Sequence, residues 1–280
     1  MINFRTVNDC LFIGGNWFLS SKDVTNFASK NDISFIKRIE VESGVIEIES
    51  RCFSSFTDVT EIKLPDTLKR IQRYAFEGCA GLLKMVIPDS VKVVGEKAFD
   101  RCNKLRVLKL SKSMKEVGKN TFSWLKGLEG LIIPEGVEEI GFVAFGFCDN
   151  LRSITIPNSV KSFDLSSFMG CSNIETINIG KNVKDLPLIN FIEFHRLKEI
   201  NISSENKKYT SVNGILYSKD KRALLYIPSG IEDAYIEDSV QEVDSEAVFS
   251  CNKLKSLSLY RKLELNAFKD KLLDVEIIRR

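Results

Sequence analysis

The sequence predicts a β-rich repeat solenoid: a right-handed, parallel superhelix of 23-residue units, closed by terminal caps and carrying one β-hairpin insertion. Three observations predict it. Phe53, Phe76, Phe99, Phe122, Phe145, Phe168 and Phe191 recur at one constant interval, the length of the unit. Five aliphatic columns keep the same step over the same stretch. Pro65, Pro88, Pro134 and Pro157 follow the third of these columns. A period of this length marks stacked supersecondary units, because one unit cannot bury its apolar face alone.

The elements follow in chain order. Residues 1–35 hold Phe4, Phe12, Trp17, Phe18 and Phe27 but keep the period poorly. They read as an N-terminal cap, which a solenoid needs over its first core layer. Seven regular repeats occupy residues 36–202. Their columns run from Ile36 to Leu197, from Ile39 to Ile200, from Val41 to Ile202, from Val45 to Val183 and from Ile48 to Leu186. The unit reads L-x-x-I-x-I-P-x-x-V-x-x-I-G-x-x-A-F-x-x-C-x-x. Its I-x-I alternates, which predicts a short strand with both Ile inward. Proline ends that strand because it has no N–H for the ladder. V-x-x-I predicts a second short extended segment. The small residue before Phe (Ala75, Ala98, Ala144, Ser167) permits a tight turn while Phe fills the core.

After Ile202 the period breaks. Residues 203–235 read as a β-hairpin insertion, with strands at Val212–Tyr217 and Ala223–Ile227 and a turn at Ser218–Arg222. Residues 236–280 read as degenerate repeats and a C-terminal cap. Ile236, Val240, Val243, Ala247, Cys251, Leu254, Leu257 and Leu259 resume the pattern, Ala267 and Phe268 sit in a shortened unit, and Val275 and Ile277 form a last strand.

Segments such as Leu82–Cys102, LLKMVIPDSVKVVGEKAFDRC, and Leu151–Cys171, LRSITIPNSVKSFDLSSFMGC, resemble the BspA-like class of leucine-rich repeats. The resemblance covers about Ile36 to Leu259; the asparagine ladder of the better-known leucine-rich repeats is absent. It implies a leucine-rich-repeat solenoid that often carries such a hairpin. It also implies surface or secreted adhesion and binding proteins of bacteria and some parasitic protists, with no catalytic residues to carry over.

Composition narrows the classes. The chain has 280 residues, 44% apolar and 28% charged, so it is globular and not disordered. Forty Lys plus Arg against 38 Asp plus Glu gives no basic excess, which argues against nucleic acid as partner. No apolar stretch is long enough to span a membrane. Met1 to Gly15 has one basic residue and no continuous apolar region, so it does not read as a secretory signal. Location therefore has two readings: cell surface or secreted by resemblance, cytoplasmic by the start of this chain.

Candidate chemistry is sparse. Cys79, Cys102, Cys148, Cys171 and Cys251 share a column with Phe56, Leu125 and Phe194, so they read as reduced core residues. Cys10 and Cys52 lie outside that column, there is no C-x-x-C, and one histidine cannot complete a metal site. His195 sits in a column with Thr57, Ala80, Asn103, Lys126, Asp149 and Ser172, a solvated loop setting that weakens every triad reading. Glu138 and Glu139 are neighbours on an open surface, not carboxylates facing each other across a cleft. Lys69, Lys92, Lys115, Lys161 and Lys184, interrupted by Glu138, form either an anion-binding stripe or a soluble edge neutralised by Glu116, Glu139 and Asp185; the second is preferred. No enzyme activity, metal or cofactor is expected.

The expected function is non-catalytic protein recognition, in adhesion or cell-surface binding of a protein partner or host surface protein. An intracellular interaction scaffold and a carbohydrate-binding module are the alternatives, the last disfavoured by a sheet column without aromatics. Two surfaces are candidates. The outward sheet column comprises Glu40, Lys63, Val86, Lys109, Ile132, Thr155, Asn178 and Asn201. An apolar patch comprises Trp124, Phe142, Phe147, Leu165 and Leu188, in columns that earlier repeats fill with Arg73, Glu96, Lys119, Gly78 and Arg101. Such patches mark association surfaces, self-association included.

Overall fold

The computed structural model describes residues 2–15, 17–163, 165–186, 188–260, 263 and 272–280. The chain is a parallel β-solenoid of about ten turns with almost no helix. It divides into two compact units, Met1–Leu151 with Ser166–Cys171, and Arg152–Leu165 with Ser172–Arg280.

In the first unit the strands Cys10–Gly14, Arg38–Val41, Glu61–Lys63, Lys84–Val86 and Val107–Lys109 pair in parallel, one per coil. The register sets residues one repeat apart opposite each other, as in Ile39 to Ile62 and Met85 to Leu108. The I-x-I pattern, one inward pair per coil, accounts for strands this short, and Pro65 and Pro88 follow two of them. A second parallel sheet takes Trp17–Leu19, Val45–Ile48, Arg70–Ile71 and Val93–Val94. Glu116–Val117 and Glu139–Ile140 pair likewise.

The phenylalanine column is fully buried. From Phe53 to Phe168 the rings stack coil upon coil, with centroids 4.8–5.6 Å apart and planes within 1–17°. This follows from the strand spacing of about 4.8 Å, which stacks equivalent side chains at nearly the thickness of a ring.

Residues before the first regular coil carry elements that the period did not announce. Asn3–Val7 pairs antiparallel with Cys10–Gly14. Helix Ser21–Lys30 begins at Ser20, whose hydroxyl accepts from the Asp23 N–H, and has Lys30 in its last turn. It buries Val24, while Phe27 stacks on Phe4 at 4.6 Å.

In the second unit Ser153–Ile156, Thr176–Ile179 and Glu199–Ile202 pair in parallel. The stretch Val212–Tyr217 corrects the sequence reading, because it is not one strand. Asn213 and Gly214, at φ 51° and 80°, form a two-residue turn joining Tyr209–Val212 antiparallel to Ile215–Ser218. Asn-Gly is the favoured pair for such a turn. Ile215–Ser218 then pairs antiparallel with Ala223–Tyr226, so the hairpin is the second half of a three-stranded meander. Ala223–Tyr226 returns to parallel pairing with Glu242–Val243, and Asp233–Tyr235, Ser256–Leu259 and Glu276–Arg279 form a further parallel sheet. Ala267 and Phe268 lie outside the described residues.

Candidate functional site

The third side of each coil in the first unit is a turn, and it is built on left-handed backbone. Arg51, Tyr74, Lys97, Asn120 and Val143 have φ of 52–61°. Four residues beyond the last four of these, Gly78, Arg101, Trp124 and Phe147 fall in the same region, as does Gly170 one coil on, with φ of 59–74°. These rotations aim alternate N–H groups at the following coil. Tyr74, Phe76 and Gly78 donate to the carbonyls of Glu96, Ala98 and Asp100 at 2.8–3.1 Å. Asn120, Phe122 and Trp124 donate to Phe142, Ala144 and Gly146, and Val143, Phe145 and Phe147 to Ser166, Ser167 and Met169. The turn side is thereby a hydrogen-bonded ladder, which satisfies backbone groups that a buried turn would orphan. A residue with a Cβ loses about 1–2 kcal/mol in this conformation, and glycine does not.

Trp124 and Phe147 put bulky side chains at such positions. Their rings stack with centroids 4.5 Å apart and planes at 16°. Trp124 is 39% exposed and Phe147 half-buried. Lys126 Nζ lies 5.6 Å from the Trp124 ring and also 3.7 Å from Asp149. On the other side of the pair, a Cβ at Gly170 would stand 2.6 Å from the Phe147 ring, so that ring occupies the room which glycine leaves. A Cβ at Gly78 would meet nothing within 4 Å. Phe142 is 50% exposed, with Lys119 Nζ 5.8 Å from its ring. Leu188 is half-buried at the start of the 3-10 segment Leu188–Glu193 of the second unit. The Leu165 side chain lies outside the described residues. Sequence reasoning missed Tyr74, whose ring has Arg51 Cζ at 4.4 Å and Lys97 Nζ at 6.0 Å, all three from one column.

The sheet column differs between the units. In the first, Lys63 pairs with Glu40 at 2.8 Å, Lys109 and Val86 are exposed, and Ile132 is 76% exposed. Phe12, in register with Glu40, extends this column by one strand, and Arg5 Cζ sits 4.1 Å from its ring. The period did not reach Phe12, so the column without aromatics began one residue late. In the second unit Thr155, Asn178 and Asn201 are half-buried and bonded to one another. Asn178 Nδ2 donates to Thr155 Oγ1 at 3.2 Å and Asn201 Nδ2 to Asn178 Oδ1 at 3.1 Å.

All seven cysteines are free thiols, six of them buried and Cys251 half-buried. The column has a polar task beside its packing. Cys79, Cys102, Cys148 and Cys171 donate to the carbonyls of Phe53, Phe76, Phe122 and Phe145 at 3.2–3.6 Å. Burial pushes the Cys79 and Cys251 thiols up to about 12, and those of Cys52, Cys102 and Cys148 upward as well. His195 is exposed. Lys115 pairs with Glu138 at 3.6 Å, within the lysine column. Among the described residues no group of three or more His, Cys, Asp or Glu is placed to hold a metal ion, and no helix is long and apolar enough to cross a membrane.

A comparison with curated proteins found no match. A family model described as BspA type Leucine rich repeat region (6 copies) matches residues 22–129 and 115–214. Among solved structures, the chain is similar to a leucine-rich cell surface protein of Faecalibacterium prausnitzii, at 24% identity over 99% of this chain and 70% of that one, with a TM-score of 0.62. It is also similar to the pneumococcal vaccine antigen PcpA, at 26% identity over 86% of this chain and 50% of that one, with a TM-score of 0.38. A leucine-rich-repeat protein of T. pallidum matches at 15% identity over 100% and 95%, with a TM-score of 0.41. The matched repeats span most of the regular coils described above, and this chain belongs to the BspA-type leucine-rich-repeat family.

Proposed function

We propose that this chain is a non-catalytic protein-recognition solenoid, serving adhesion or the binding of a protein partner at a cell surface, through the turn side of its first unit. The observation that carries the reading is the Trp124–Phe147 pair. Its column also accepts Gly78, Arg101 and Gly170. Any residue with a Cβ strains the backbone here by about 1–2 kcal/mol, and Trp124 keeps 39% of its surface exposed, so coil stability does not call for an aromatic pair at these positions. Exposed aromatic bodies with charged neighbours are the usual anchors of protein interfaces. Membership of the BspA-type family supports recognition, and the Faecalibacterium prausnitzii neighbour, described as a cell surface protein, supports the surface form of the reading.

The exposure of Ile132 favours a second reading, the sheet face of the same unit. One experiment separates the two. Binding of the purified chain to a panel of immobilised matrix and serum glycoproteins is measured beside its own sedimentation velocity. Trp124→Arg with Phe142→Lys is compared with Val86→Lys with Ile132→Thr. Loss of binding or self-association in the first pair alone, at unchanged thermal midpoint, supports the turn side. Loss in the second pair alone moves the site to the sheet. Binding indifferent to both pairs, or no binding and no self-association by the wild type, removes both faces.

A further inference from the structure

We propose that a lysine-lined depression in the second unit binds the sulfate groups of an anionic polysaccharide. Lys181, Asn182, Lys184, Glu205, Lys207 and Lys208 line it. Lys207 lies one repeat length after Lys184 and so continues the lysine column, past the point where the apolar period breaks. The pairing of Lys208 with Asp185 at 3.1 Å, across the same interval, holds this register. Lys181 pairs with Glu205 at 2.9 Å. Four lysines thus line the depression with one carboxylate, Glu205, while Asp185 outside the lining pairs with Lys208. Lys184 and Lys207, both exposed, occupy one column on adjacent coils, an arrangement in which like charges repel.

The base of the depression is Asn206, 1% exposed. It takes the column position that Val45, Leu68, Val91, Met114, Val137, Val160 and Val183 fill with aliphatic groups. An amide there is tolerated only if its polar atoms are paired, and they are. Nδ2 donates to the Gly180 and Val183 carbonyls at 3.2 and 3.0 Å. Oδ1 accepts from the Lys208 and Tyr209 N–H groups, each at 2.9 Å. Those bonds fix the turn carrying Lys207 and Lys208, and the Tyr209 hydroxyl donates to the Lys184 carbonyl at 3.1 Å.

The ligand class follows from what lines the site. Lysines are compact point charges without the forked geometry of arginine, so they read charge density more than shape. Tyr209 is buried and offers no face for a nucleobase to stack on. Val183, the apolar residue of the lining, is buried too, so the aromatic anchor of a peptide has no seat. A sulfated sugar chain presents several oxyanions on a polar backbone and needs neither.

A heparin-derived hexasaccharide, titrated calorimetrically at physiological ionic strength, tests the proposal. Lys184→Glu with Lys207→Glu should weaken binding by about tenfold or more at unchanged thermal midpoint, because two attractions become repulsions. Lys69→Glu with Lys92→Glu, the same column in the first unit, should change it less than about twofold. Absence of binding by the wild type, equal losses in both double variants, or equal affinity for an oligothymidylate of the same charge would overturn the proposal. No residue of the first unit is involved, so failure here leaves the Trp124–Phe147 reading standing.

Discussion

Phe122 lies in the middle of the ring stack, fully buried between Phe99 and Phe145. Phe122→Ala should therefore lower stability by about 3–5 kcal/mol, the range for emptying a buried phenylalanine site. The measurement is the urea midpoint, and a loss below about 1 kcal/mol would show that the column is not core. Cys79 gives a pH-dependent prediction. Its thiol has an ordinary value of 9.0 and is pushed up to about 12 by burial. The folded value exceeds the unfolded one, so the fold favours the neutral thiol. The contribution is complete below pH 9.0 and fades as pH climbs toward about 12, by up to roughly 1 kcal/mol per pH unit. Between mildly and strongly alkaline buffer, wild type should lose more stability than Cys79→Ala; identical slopes would contradict the burial. In native protein Cys251, the half-buried thiol, should react first with a thiol reagent.

The turn segment is where single elements can be compared, because the coil repeats the same backbone with different side chains. Gly78 and Gly170 share φ +74°, but a Cβ at the first meets nothing and at the second meets the Phe147 ring. Gly78→Ala should cost only the left-handed strain, about 1 kcal/mol, and Gly170→Ala should cost clearly more. Adding Phe147→Ala should bring the two glycine effects together, which a double-mutant cycle reads directly. Equal effects in the parent would mean that the ring is free to move aside. The sheets, the core columns and the phenylalanine ladder were legible in the sequence because packing repeats a residue type each time it repeats an environment. The left-handed positions were not, since Tyr74, Lys97, Arg101, Trp124 and Val143 answer a backbone demand that their chemistry does not advertise. Only Asn120 and the two glycines hint at it. The helix Ser21–Lys30 and the Asn213–Gly214 turn left local signals, a serine cap and an Asn-Gly pair, outside the period that organised the reading. The lysine depression was half legible, as a column that stopped at Lys184.

At the scale of the whole chain, where 40 basic residues nearly balance 38 acidic ones, several ion pairs join successive coils. Lys63 with Glu40, Lys126 with Asp149, Arg152 with Glu175 and Lys255 with Glu232 are each separated by one repeat length. Exposed pairs of this kind give at most about 1 kcal/mol each, so the coils are held chiefly by the buried columns. Contacts that run from coil to coil make stability a nearest-neighbour property. Hydrogen exchange in Phe122→Ala should accelerate in the flanking coils of the first unit and leave Thr176–Ile179 and Glu199–Ile202 protected; uniform acceleration along the chain would mean that it opens as a whole. The same one-dimensional order gives the Trp124–Phe147 stack a further meaning. A row of like rings running through every coil would offer a bound chain many equivalent seats, and the chain could slip from one to the next. Here the row is two rings long, bounded by Arg101 on one side and Gly170 on the other. A partner anchored on it, as proposed, would be held in a single register.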